Sequence, residues 1–265
     1  MNKTDLEHKL LKGSVIYLGN IPTYKVTIGQ MVDFQYGYSM CQQIIGILCM
    51  DDEKTDSILS GDVEHTTWNF IVAKIFTELV GINQGQISKS DYELLLITTL
   101  PPFLSIVFGD NVTFDVEQGV FSIGENGLSL SQDNYPQFRD ILKERNCLMN
   151  LDGVDNTDNP ANEMTKKLLE KRKKLRDKVK RGKHINGDDD EGLTMADLIS
   201  IFAESEHMPL QEVYDKYDVY QFNNQFNRLK IMEDYQVNIK ALLAGAKSDD
   251  IKLQHWLSKI KKQDD

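Results

Sequence analysis

Cysteine is scarce in this sequence: Cys41, Cys49 and Cys147 are the only three. An odd number in a 265-residue chain does not make a disulfide framework and suits a reducing compartment. Histidine is sparse too. His8, His65, His184, His207 and His255 lack the i, i+4 or short-loop spacing of a metal pair, and none neighbours a cysteine. The phosphate-cradling G-x-x-x-x-G-K-[ST] loop is absent, as is the G-x-S-x-G nucleophile turn. The uncharged stretch from Leu94 to Gly109 contains Pro101 and Pro102 and falls short of the roughly 20 residues a spanning helix needs. The opening stretch MNKTDLEHKLLKG lacks the apolar centre of a signal peptide. Together these absences point to a soluble cytoplasmic protein that is not an enzyme and carries no cofactor or metal.

What is present is ordinary for a globular chain: 40% hydrophobic and 27% charged residues, and a length that suits one or two domains. The net charge of −11 argues against a nucleic-acid partner for the molecule as a whole. The charge is unevenly spread. Residues 1–150 carry −9, residues 184–265 carry −7, and residues 166–183 (KKLLEKRKKLRDKVKRGK) carry +9. Two acidic clusters invite a cation. The first, Asp152 to Asp158, fails the EF-hand pattern, because Pro160 and Lys166 fall where Gly and Glu are required. The second, Asp188 to Glu191, reads as an acidic linker.

The periodicities predict an α+β protein. Val15–Gly19 is a short β-type run broken by Asn20-Ile-Pro22. Thr27 and Gln30 have capping-box spacing, and Met31, Phe34, Tyr38, Cys41, Ile45 and Leu48 follow as one helical face that also places Cys41 and Cys49 in the core. Trp68, Ile71, Ile75 and Leu79 mark an amphipathic helix ended by Gly81. Ser90 and Glu93 could cap a further helix, which the proline pair would interrupt. Past Gly109, Val112–Val116 and Val120–Ile123 alternate as a β-hairpin, Leu128–Leu130 adds a third strand, and a helix runs from Asp133 to about Asn146. Residues 150–162 are loop. The C-terminal third is helical: one helix after Thr194, one after Pro209, a long one over 219–244 ended by Gly245, and a last one after Ser248. The expected organisation is a mixed domain over 1–150, a basic helical connector with an acidic joint over 151–191, and a helical domain over 192–265.

The basic connector has three readings. It is an exposed helix, a docking helix for an acidic surface, or a nucleic-acid or lipid arm centred on Lys171, Arg172, Lys173, Lys174 and Arg176. The last lacks the interleaved aromatics or the Trp and Phe that such roles use. The helix pair around Glu204–Pro209 has helix-turn-helix length. Its second helix, though, would bring Glu212 and Asp215 to a phosphate backbone with one lysine to offset them.

Three stretches resemble tailed-bacteriophage proteins of the tail assembly chaperone type, encoded near the tail tube and tape-measure genes. They are KGSVIYLGNIPTYKVTIGQMVDFQYGY, NPANEMTKKLLEKRKKLRDKVK, and LTMADLISIFAESEHMPLQEVYDKYDVYQFNNQFNRLKIMEDYQVNIKALLAGAK with IKLQHWLSKI. The resemblance implies a non-enzymatic assembly role in the host cytoplasm, with the tape-measure or tail tube protein as partner. Self-association is a further possibility; membrane binding is not expected and nucleic-acid binding is disfavoured. A chaperone covers apolar helical stripes with adaptable aromatic and Met side chains. Tyr214, Tyr217, Tyr220, Phe222, Phe226, Met232 and Tyr235 are the residues to consider, set against the simpler reading that they form the C-terminal core. A virion structural component, such as a connector or baseplate part, and a nucleic-acid adaptor are the competing classes.

Overall fold

The computed structural model describes residues 3–52, 66–85, 95–148, 194–245 and 255–257. The basic segment with Lys171, Arg172, Lys173, Lys174 and Arg176, the two acidic clusters, the Ser90/Glu93 pair and most of the helix expected after Ser248 lie outside them. The architecture is α+β. Helix α1 (Lys3–Lys12), which the sequence patterns did not single out, leads into strands β1 (Ile16–Leu18) and β2 (Ile21–Thr23). These pair as an antiparallel hairpin, Tyr17 opposite Pro22. The turn falls at Gly19-Asn20, and Ile21-Pro22 starts the return strand rather than ending the sheet. Pro22 is tolerated because a two-stranded sheet leaves its outer edge unpaired.

The single helix expected over 31–48 is two: α2 (Ile28–Val32) and α3 (Gly37–Leu48). Thr27 caps α2 through the expected box, its Oγ1 accepting from Gln30 N–H at 3.2 Å while Gln30 Oε1 accepts from Thr27 N–H at 2.9 Å. The break falls before Gly37, whose φ of +81° redirects the chain without a Cβ clash. Periodicity survives the break because Met31, Phe34, Cys41, Ile45 and Leu48 are all buried on the same core. Helix α4 (Thr67–Asn83) runs through Gly81 and stops before Gly85 at φ +67°, so the stop signal lies four residues later than the pattern suggested.

Helix α5 (Leu96–Phe108) also runs uninterrupted through Pro101 and Pro102. Two carbonyls, those of Ile97 and Thr98, lose their i+4 N–H donors to the proline pair. Tertiary structure compensates for one of them, since Tyr36 Oη donates to the Thr98 carbonyl at 3.4 Å. Burial of Leu100, Phe103, Leu104, Val107 and Phe108 outweighs the local penalty. The expected meander is present: β3 (Val112–Asp115), β4 (Val120–Ile123) and β5 (Leu128–Leu130) form an antiparallel sheet in that order. Helix α6 (Tyr135–Arg145) closes the region. One core gathers these elements around Trp68, Phe103, Phe108, Phe121 and Phe138.

Helices α7 (Met195–Ser205), α8 (Leu210–Lys216) and α9 (Val219–Leu243) follow. Their own core is Ile199, Phe202, Ala203, Val213, Phe222 and Leu229, completed by Ile28 from α2. A third small cluster joins Leu10, Ile16 and Tyr220.

Candidate protein-interaction site

Helix α7 starts with a second capping box: Thr194 Oγ1 accepts from Asp197 N–H, and Asp197 Oδ2 accepts from Thr194 N–H at 2.8 Å. It ends with His207 in the left-handed region at φ +54°, the N–H of Met208 reaching the Ala203 carbonyl at 2.9 Å. This Schellman-type ending turns the chain into α8. Phe202 then meets Tyr217 at 5.7 Å and Phe222 at 5.5 Å, both edge-on, and Phe222 stacks on Phe226 at 5.6 Å. Of the aromatics singled out from sequence, Phe222 is buried in this cluster and Tyr214, Tyr217 and Phe226 are half-buried at its rim, whereas Tyr220 is buried apart from it with Leu10 and Ile16, and Tyr235 meets His255.

Helix α9 divides into two halves. The proximal half buries Tyr220, Phe222 and Leu229. Beyond Leu229 no residue of the helix is buried, although Ile231, Met232, Tyr235, Val237, Ile239, Leu242 and Leu243 are apolar or aromatic. Val237 is 63% exposed and Leu243 83%. Residues 255–257 meet α9 near its middle. Arg228 Nη1 donates to the Trp256 carbonyl at 3.1 Å, and the Tyr235 and His255 rings lie 5.2 Å apart. Trp256 and Leu257 remain exposed there.

A polar seam fastens α8 and α9 to the N-terminal elements. Asp218 caps α9, accepting from Gln221 N–H at 2.8 Å, and also faces Arg145 Nη1 at 3.5 Å. Arg145 Nη2 donates to the Ser14 carbonyl at 2.8 Å. Lys25 Nζ donates to the Lys216 carbonyl and to Gln221 Oε1, and Gln221 Nε2 donates to the Leu11 carbonyl at 2.8 Å. Ile28 N–H reaches the Tyr217 carbonyl at 2.9 Å, beside a β-bridge between Thr27 and Asp218. Burial pushes the Asp218 carboxyl above its usual range, against the opposing pull of Gln221, Arg145 and Lys25. Burial likewise lowers Arg145 and Lys25. In each of the three groups desolvation is the largest influence and opposes the charged form. Asp218 with Gln221 and Thr27 with Gln30 have capping-box spacing, but the pairing between them spans residue separations up to 210 and lies beyond local pattern reading.

Among the described residues no group of three or more His, Cys, Asp or Glu could hold a metal, and no helix is long and apolar enough to cross a membrane. Cys41 and Cys49 are buried, and burial pushes both thiols up to about 12. A cleft of about 290 Å³ between α3, α4 and α5 is lined by Ile44, Ile47, Phe70, Glu78 and Leu96. Its one buried acid, Glu78, accepts from Ile97 N–H at 3.1 Å and so caps α5.

The search of curated proteins and the search of solved structures return no match. Residues 184–261 match the family model described as the YomV second domain. That span includes α7, α8, α9 and the Trp256 stretch. The C-terminal part of the chain is thereby similar to a phage-related domain family.

Proposed function

We propose that this chain is a non-enzymatic tail assembly chaperone, acting in the host cytoplasm, that engages a tape-measure or tail tube protein through its C-terminal helices. The observation that carries the reading is the distal half of α9, which exposes Val237 and Leu243, while Trp256 and Leu257 are exposed where residues 255–257 meet the same helix. An amphipathic partner helix laid along this surface would bury its own apolar stripe against side chains that the chain leaves uncovered. The half-buried rim of Tyr214, Tyr217 and Phe226 would extend the contact. Similarity of residues 184–261 to a phage-related domain supports the setting.

Co-expression with each tail protein of the same genome tests the proposal. The expected result is co-purification with the tape-measure or tube protein, lost on Leu243→Asp with Trp256→Ala. A well-folded chain that captures neither protein overturns it. Mass spectrometry of purified particles separates the virion-component reading, since a chaperone is absent from particles and a structural part is present in fixed copy number. A nucleic-acid adaptor predicts salt-sensitive binding that disappears when Lys171, Arg172, Lys173, Lys174 and Arg176 are neutralised.

A further inference from the structure

We infer that α7, α8 and α9 form a detachable unit, which opens from the N-terminal elements as a block along the Arg145–Asp218 seam while those elements stay folded. The main core closes on itself. All of its buried members lie between Leu18 and Leu142, and from the C-terminal helices only the partly buried Val219 packs against it. Removing the unit would therefore leave that core intact. The C-terminal cluster likewise borrows only Ile28 from outside its own helices.

Much of what fastens the two together is the polar seam. Ion pair, lysine and glutamine contacts and carbonyl acceptors can be exchanged for water at small net loss, whereas apolar surface cannot. The apolar part of the interface comprises Leu6, Leu10, Ile16 and Ile141 around Tyr220, Val219 against the main core, Ile28, and the approach of α2 on α8. That approach depends on the absence of a side chain: a Cβ on Gly29 would sit 3.0 Å from the Tyr214 carbonyl oxygen. Opening would uncover Leu10, Ile16 and Ile28 on one side and Tyr220 with the Phe222 cluster on the other. Each is an apolar surface distinct from distal α9.

Hydrogen exchange of the full chain, followed by mass spectrometry across a series of low urea concentrations, tests the inference. Peptides from Met195 to Leu229 are expected to exchange together, through an opening less dependent on urea than that of peptides from α5 and β3–β5. Arg145→Met, which leaves Asp218 buried without its partner, is expected to speed exchange in the C-terminal helices by about a hundredfold or more. In α5 and the sheet it should change exchange by less than about threefold. Exchange that is common to both parts in the urea series overturns the inference, as does an Arg145→Met effect that is equal in both or absent. Should that variant fail to fold, Gly29→Leu applies the same test through α8 and without altering charge, and the urea series on the unmodified chain stands alone.

Discussion

The N-terminal elements and the C-terminal helices bury apolar surface in different ways. The first build one core from five helices, a hairpin and a meander, with Trp68, Phe103, Phe108, Phe121 and Phe138 at its centre. The second build a small core on two short helices and the proximal half of α9, then leave the rest of that helix without a buried residue. A region that invests its rings inside is a scaffold. A region that leaves apolar residues outside after completing its core has surface available for a partner.

Substitutions at the two cores should separate them most strongly. Phe103→Ala is expected to destabilise the N-terminal elements by about 3–5 kcal/mol, read by urea unfolding from Trp68 fluorescence in a Trp256→Phe background. Phe222→Ala should instead leave the Trp68 transition nearly unmoved and lower the helical signal first. If both substitutions shift a single transition equally, the two regions are one cooperative body. Next in size is Glu78→Ala. It orphans the Ile97 N–H at the start of α5 and should cost about 1–3 kcal/mol, with the loss confined to the Trp68 transition.

A gain is expected at the α7 ending. His207 holds a left-handed conformation that disfavours a side chain, so His207→Gly should raise the stability of the C-terminal helices by about 1 kcal/mol. A drop would show that the imidazole makes a contact that the turn requires. The smallest effect concerns pH. Burial pushes the Asp52 carboxyl up, but the Thr67 N–H, Arg139 and the Thr67 hydroxyl outweigh it and hold the group below its usual range. Its contribution is then present above the unfolded value of about 4 and is lost as pH falls from there through the lower folded value. Asp52→Asn should flatten the acid limb of the Trp68 transition by a few tenths of a kcal/mol, because the carboxylate is half exposed. An unchanged limb would remove Asp52 from the account.

Local chemistry carried much of this fold into the sequence. Both Thr caps, the 112–130 meander, Pro209 before α8 and Gly245 after α9 each act within a few residues, where side chain and backbone can be paired by spacing alone. Failures arose where a distant group overrode the local rule. Pro101 and Pro102 are helical because the stripe they interrupt is buried and Tyr36 reaches back to one freed carbonyl. The candidate aromatics were legible as a group, but their division into buried and rim residues was not. The burial of Tyr220 depends on Leu10 and Ile16, some two hundred residues earlier, and that of Phe222 on a cluster completed by Ile28. The exposed half of α9 looked the same as the buried half in sequence, since periodicity does not say whether a partner is present.

The Gln221–Leu11 bond has a consequence in time as well as in space. At roughly 5–20 residues per second, synthesis reaches Gln221 about ten to forty seconds after Leu11. Throughout that interval α1 and the first hairpin lack the surface that covers Leu10 and Ile16. The last helices therefore complete the first ones, and a nascent chain carries its own unfinished edge until α9 has been made.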